Sequence, residues 1–101
     1  MKIKVIGKRA SELPAWTFLT NHAHVLICLR RDPDVLLREV AAKVGITERA
    51  VQRIVAELEA DGYLKRLKEG RRNTYRLKLD KAMRHPIEKQ FSVSHLVGAL
   101  A

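Results

Sequence analysis

Apolar residues in the first half of the chain recur with a helical period in three successive segments. The first predicted helix spans residues 17–31, and its stripe at positions i, i+3, i+4 and i+7 consists of His22, Val25, Leu26 and Leu29. Ile27 and Cys28 fall outside this stripe, so the helix is apolar nearly all round and should be buried on more than one side. Pro33 should end it, because a proline disfavours helical geometry at the residue before it.

A glycine and a threonine separate the next two predicted helices. The second helix covers residues 37–44, and its inward positions are Val40, Ala41 and Val44. Gly45 follows where a left-handed backbone is usually needed. Thr47 should cap the third helix by accepting a hydrogen bond from a backbone N–H of the first turn. Gly62 ends this third helix, whose inward stripe is Val51, Ile54, Val55 and Leu58.

Beyond Gly62 the apolar period becomes that of a strand. Tyr75, Leu77 and Leu79 alternate with polar residues and predict a half-buried strand, with "YLKRLK" as its partner and "EGRRN" as the turn. A last short helix is predicted to carry on one face Val93, Leu96, Val97 and Leu100. Within residues 1–13, "KIKVI" is either an edge strand or a loose basic arm. The predicted fold class is therefore mainly α with a small β-hairpin.

Composition and charge favour one small domain with a polyanionic partner. The chain has 101 residues, of which 47% are hydrophobic, and its formal net charge is +9. Residues 62–81 contain eight Lys or Arg and two acidic residues, so +6 of the net +9 lies in the predicted hairpin region. Such a charge favours nucleic acid or an acidic membrane surface as the partner.

Cysteine usage and hydropathy predict a cytoplasmic protein with no membrane association. A single cysteine, Cys28, excludes an intrachain disulfide and fits a reducing compartment. The apolar run "VLICL" is far shorter than the roughly 20 residues that a transmembrane helix needs. The start, "MKIKVIGKR", is basic but lacks the apolar core of a secretion signal.

The spacing around Gly45 is typical of a helix-turn-helix. Ala41, four residues earlier, is small enough to let two helices cross closely. Val51 and Ile54, six and nine residues beyond the glycine, would pin the second helix against the first. An ordinary helical hairpin with a glycine turn is the alternative. The basic hairpin directly after the third helix favours the DNA-binding motif.

Over about residues 16–79 the chain resembles the winged helix-turn-helix transcriptional regulators of the broad MarR-like and ArsR-like kind. The resemblance rests on "LREVAAKVGITERAVQRIVAELEADGYLKR", on the wing "GRRNTYRL" and on the phrase L-x-x-x-G-Y-L between them. It implies transcriptional regulation, usually by a homodimer on a two-fold-symmetric operator. The expected organisation is a basic N-terminal arm (1–15), a winged helix-turn-helix DNA-binding domain (16–81) and a C-terminal segment (82–101).

The outward face of the third helix carries side chains suited to reading bases. Arginine can bond guanine bidentately, glutamine can do so with adenine, and glutamate can accept from cytosine. A recognition helix reads bases with its N-terminal residues. The candidate base-reading residues are Thr47, Glu48, Arg49, Gln52 and Arg53. The second half of the helix is acidic, with Glu57, Glu59 and Asp61, and a merely solvated face does not account for this change of sign.

The predicted wing and the second helix supply candidate contacts to the DNA backbone. These are Arg38, Lys43, Lys68, Arg71, Arg72 and Asn73. Arg71 and Arg72 are expected together at the hairpin tip, where they would contact phosphates or the minor groove. The alternative is a charged tip that only protects the sheet edge against aggregation.

The first helix and the C-terminal segment together offer more apolar surface than one small domain needs, which predicts a homodimer. The candidate interface residues are Trp16, Phe18, Leu19, Ile27, Val93, Leu96, Val97 and Leu100. Three roles stay open for the C-terminal helix: it covers the core, forms the dimer interface, or is a disordered tail.

The sequence offers little for metal, cofactor or catalytic chemistry. His24 and Cys28, one helical turn apart, are weak metal candidates to which His22, His85 or His95 could add a ligand. The paired-cysteine motif typical of ArsR-like metal sites is absent, so no metal is expected. The chain shows no catalytic constellation and no glycine-rich phosphate loop, so we expect neither an enzyme nor a cofactor.

Together these patterns predict a sequence-specific regulator of transcription that binds double-stranded DNA. The third helix would enter the major groove and the basic hairpin would contact the flanking backbone or minor groove. A small-molecule effector is not expected, because the chain is short beside full-length MarR-like proteins. The alternatives are a winged helix that binds RNA and a protein-interaction module without sequence-specific DNA binding.

Overall fold

The computed structural model describes residues 13–101 and contains four helices and one hairpin within that range. In chain order they are α1 (Asn21–Arg31), α2 (Leu37–Val44), α3 (Glu48–Ala60), β1 (Leu64–Glu69), β2 (Arg72–Leu77) and α4 (Val93–Leu100). Three helices followed by an antiparallel two-stranded hairpin confirm the predicted winged helix-turn-helix fold class. The predicted strand or basic arm in "KIKVI" lies outside the described residues. None of the helices in residues 13–101 is long and apolar enough to cross a bilayer.

The first helix begins four residues later than the predicted start at Thr17. Thr20 caps it in extended backbone, and the Thr20 hydroxyl accepts a 3.4 Å hydrogen bond from the Ala23 N–H. The Thr17 hydroxyl donates instead to the Leu19 carbonyl, at 2.6 Å. At the other end, extended backbone at Asp32 before Pro33 stops the helix where the proline predicted.

The turn between α2 and α3 has the two caps that the sequence predicts. Gly45 has a φ of +89°, and its N–H donates a 2.8 Å hydrogen bond to the carbonyl of Ala41. Two residues later, the Thr47 hydroxyl accepts a 3.0 Å hydrogen bond from the Ala50 N–H. These bonds satisfy backbone groups at both helix ends, so the chain can start α3 after only three intervening residues.

One hydrophobic core joins all four helices to the base of the hairpin. Its fully buried side chains are Val25, Leu29, Val40, Val51, Val55 and Val97, and Tyr63, Leu64 and Tyr75 close it at the hairpin. The structure corrects the predicted stripe of the first helix at His22, which is half-exposed. Ile27, outside that stripe, is also buried, as expected for a helix that is buried on more than one side.

The hairpin turn is shorter than the predicted "EGRRN". Strand pairing runs from Leu64 with Leu77 to Glu69 with Arg72, so only Gly70 and Arg71 form the turn. Gly70 has a φ of +63° at the first central position, the pattern of a type II′ hairpin turn. The second strand, β2, therefore starts earlier than predicted, at Arg72, and ends at Leu77. Leu79 lies beyond the strand and packs half-buried against the core.

The segment after the hairpin brings the last helix back onto α1. The N–H groups of Lys78, Val93 and Ser94 donate to the carbonyls of Tyr63, Lys81 and Leu79, respectively, at 2.7–2.8 Å. Val93 and Val97 are buried, and the Arg31 guanidinium donates a 2.9 Å hydrogen bond to the carbonyl of Leu100. Of the three roles left open for the C-terminal helix, α4 covers the core of its own chain.

Candidate nucleic-acid interface

Helix α3 divides into a buried face and an exposed face. The buried side chains are Val51, Ile54, Val55 and Leu58, as predicted. All five candidate base-reading residues are exposed: Thr47, Glu48, Arg49, Gln52 and Arg53. They lie at or near the amino-terminal end, where a recognition helix contacts base edges. Thr47 has a second role, because its hydroxyl also caps the helix.

The structure gives Arg53 a partner that the sequence analysis did not identify. Its Nη1 lies 3.4 Å from Oε2 of Glu57, one turn further along α3. The other oxygen of that carboxylate, Oε1, accepts a 2.7 Å hydrogen bond from Nε2 of His22 on α1. This bond to His22, with a smaller contribution from Arg53, lowers the pKa of Glu57 below its ordinary value.

The remaining acidic residues at the carboxyl end of α3 are also paired. The Glu59 carboxylate accepts a 3.3 Å hydrogen bond from the backbone N–H of Arg66. It also lies 3.9 Å from Nε of the Arg66 side chain. Asp61 pairs with Arg84 at 3.4 Å. The acids at the carboxyl end of α3 thus pair with residues of other segments, and Glu57 pairs in addition with Arg53 of the same helix.

The two arginines of the wing occupy different environments. Arg71 is exposed within the two-residue turn, as predicted. Arg72 is already in β2 opposite Glu69, and its guanidinium donates to the backbone carbonyl of Asp34 in the α1–α2 loop. The prediction that both lie at the tip is therefore wrong for Arg72. It failed because the sequence does not show which residues of "EGRRN" form the turn.

The other candidate backbone contacts are all exposed, on two separate elements. Arg38 and Lys43 lie on α2, and Lys68 and Asn73 face each other across the hairpin. The register also places Lys65 directly opposite Arg76, a pair of cations that the sequence analysis did not single out. Like charges directly opposite each other destabilise a strand pair. A bound anion would offset the repulsion between Lys65 and Arg76.

The histidines and the cysteine do not assemble into a metal site. Nδ1 of His24 is hydrogen-bonded to Oδ1 of Asn21, and burial raises the pKa of the half-buried Cys28 thiol. His85 and His95 bond within their own segments, to the Ile87 N–H and the Ser92 hydroxyl. Within residues 13–101, no three His, Cys, Asp or Glu side chains come close enough to hold a metal.

Only part of the predicted dimer interface remains available at the surface. Ile27, Val93 and Val97 are buried in the chain's own core. Trp16 and Phe18 are 68% and 91% exposed, and their rings meet edge to face with centroids 5.0 Å apart. Leu100 is 44% exposed, and Leu19 and Leu96 are half-buried. Among the predicted interface residues, the aromatic pair is thus the most exposed apolar feature.

Comparison with known protein families finds one family model that matches just under half of the chain. Residues 20–65 match the family model of the winged helix-turn-helix DNA-binding domain. The matched range begins at the cap of α1 and ends in β1, so it contains the whole helix-turn-helix. The match supports DNA binding by this part of the chain. None of the curated proteins matches the chain.

Proposed function

We propose that the protein is a sequence-specific transcriptional regulator that binds double-stranded DNA, with α3 in the major groove. The observation that carries the proposal is the exposed row of Arg49, Gln52 and Arg53 near the amino-terminal end of α3. Arginine can donate two hydrogen bonds to guanine, and glutamine can both donate to and accept from adenine. Glu48 in the first turn adds an acceptor for cytosine.

The hairpin would supply affinity that does not depend on sequence. Arg66 and Arg72 contact Glu59 and the Asp34 carbonyl, and the other exposed cations on the strands and at the tip are Lys65, Lys68, Arg71 and Arg76. Each phosphate that they neutralise releases condensed counterions, which favours binding to any duplex at low salt. Arg38 and Lys43 on α2 are proposed as further phosphate contacts, because the first helix of the motif crosses the DNA backbone.

We further propose that the protein acts as a homodimer, as in the MarR-like and ArsR-like regulators that it resembles. Trp16 and Phe18 present a large, rigid apolar surface, and exposed aromatic side chains of this kind are the usual anchors of protein interfaces. A second copy would double the number of recognition helices. Such a dimer would bind half-sites spaced by about one turn of DNA.

The test is a titration of labelled duplexes over a series of salt concentrations. DNA and RNA duplexes of the same sequence are compared for the wild-type protein and for Arg49→Ala. We expect steep salt dependence on DNA and weaker binding to RNA, because the A-form major groove does not admit a helix. Equal binding to both polymers with no effect of Arg49→Ala would favour the RNA-binding alternative. Salt-independent or absent binding would favour a protein-interaction module.

A further inference from the structure

We propose that Glu57 is a positioning residue, held by His22, that orients Arg53 and thereby sets the base preference at the position Arg53 reads. The inference rests on the proposed function, because it assumes that α3 reads bases. It concerns two residues, Glu57 and His22, outside the exposed row that makes the base contacts. The structural basis is one carboxylate shared between an arginine of the recognition helix and a histidine of another helix.

The geometry leaves Arg53 able to bind a base while it is held. The hydrogen bond to Glu57 is donated by Nη1 of the guanidinium, 3.4 Å from Oε2. A guanidinium has five N–H donors in a planar fork, so donors remain for the two acceptors of guanine. The contact with Glu57 already restricts the Arg53 side chain before DNA binds. Less conformational entropy is therefore lost when Arg53 contacts a base.

His22 connects this pair to the core. A surface pair at positions i and i+4 on one helix constrains its side chains weakly by itself. Here the second contact comes from α1, where Nε2 of His22 lies 2.7 Å from Oε1 of Glu57. The neighbours Ala23 and Val25 on α1 are buried, so the backbone that carries His22 is fixed. The lowered pKa of Glu57 is consistent with an ionised carboxylate at neutral pH.

Arg49 offers an internal comparison on the same face of α3. Among residues 13–101, no carboxylate lies within ion-pair distance of Arg49. Loss of Glu57 should therefore relax the preference for the base read by Arg53 and leave the base read by Arg49 unchanged. Loss of a negative charge near DNA should also strengthen binding to random duplexes. Lower specificity with higher general affinity is a combination that simple unfolding does not produce.

The experiment measures base preference at every operator position by competition, after selection of the preferred site. The variants are Glu57→Ala, His22→Phe, His22→Gln and Arg53→Ala. Glu59→Gln is the control, because Glu59 is an acidic residue of the same helix that pairs with Arg66. Thermal unfolding of each variant checks that it is folded at the assay temperature.

We expect Glu57→Ala and Arg53→Ala to lower the preference at the same base pair, by about fivefold or more, the low end of what a bidentate contact provides. His22→Phe should act in the same direction, while His22→Gln, which keeps a donor, should retain the preference. Glu59→Gln should change general affinity only. If Arg53→Ala relaxed one position and Glu57→Ala did not, the inference would be overturned and the proposed function would stand. If Arg53→Ala relaxed none, the inference and the assigned role of Arg53 would both fail.

Discussion

The guanidinium of Arg72, on the second strand of the hairpin, donates a hydrogen bond to the backbone carbonyl of Asp34 between α1 and α2. The contact joins the wing to the helical body across 38 residues of sequence. Arg71, the preceding residue, is exposed in the turn. Two adjacent arginines thus differ in role, because one holds the wing in place and the other is directed to solvent.

This difference predicts distinct effects of removing each arginine. Arg71→Ala should weaken binding to all duplexes alike and reduce the salt slope by about one unit, as expected for one lost phosphate contact. Arg72→Ala should also lower the free energy of unfolding, by about 1 kcal/mol for a lost hydrogen bond. Salt-dependent anisotropy titrations and thermal unfolding measure the two effects. Indistinguishable stabilities of the two variants would refute the anchoring role of Arg72.

A second prediction concerns the reading of bases by Arg49. Arg49→Ala should reduce discrimination at one base pair by about 1–3 kcal/mol if the side chain contacts guanine bidentately. Arg84→Ala is the matched control, because Arg84 is an exposed arginine that pairs with Asp61 instead. Competition with single-base operator variants measures discrimination. An equal loss of affinity for operator and random DNA would mean that Arg49 contacts phosphate only.

The turn of the helix-turn-helix provides a prediction about stability. Gly45→Ala should destabilise the protein by about 1–2 kcal/mol, because the φ of +89° is strained for any residue with a Cβ. Gly98→Ala is the control within α4, where a Cβ would meet nothing within 4 Å. That substitution should stabilise the protein by about 0.5–1 kcal/mol, because alanine favours the helix. Chemical denaturation measures the free energy of unfolding of both variants. If the two substitutions changed it in the same direction, the role of Gly45 in the turn would be contradicted.

The proposed dimer interface can be tested by replacing its exposed aromatic residue. Phe18→Ser should shift the protein towards monomer at micromolar concentration, because Phe18 is 91% exposed and pairs with Trp16 at the surface. Ile87→Ser removes a similarly exposed apolar side chain, 78% accessible, from a different segment and should leave the assembly unchanged. Sedimentation analysis distinguishes the two. A wild-type protein that is monomeric at this concentration would exclude the proposal.

Features that depend on neighbouring residues could be predicted from the sequence. The caps at Gly45 and Thr47 follow from local backbone chemistry, and the stripe of α3 follows from helical period. The predicted start of α1 at Thr17 is too early, because "TFL" continues the apolar pattern while Thr20 supplies the actual cap. In each confirmed case the decisive groups lie within a few residues of one another.

Features that depend on distant contacts could not be predicted. His22 fits the apolar stripe by position, but its partner Glu57 lies 35 residues away. The hairpin register, which separates Arg71 from Arg72, depends on how Leu64 and Tyr75 pack on the core. An apolar helix such as α4 can cover its own core or a partner's. The complete burial of Val97 shows that α4 packs on the core of its own chain.

We propose above that α3 reads a specific sequence in double-stranded DNA. The most direct measurement is selection from a random duplex pool by the purified wild-type protein, followed by sequencing. We expect enrichment of a two-fold-symmetric motif with half-sites about one helical turn apart. A pool that binds through its charge but shows no enriched motif would contradict sequence-specific recognition.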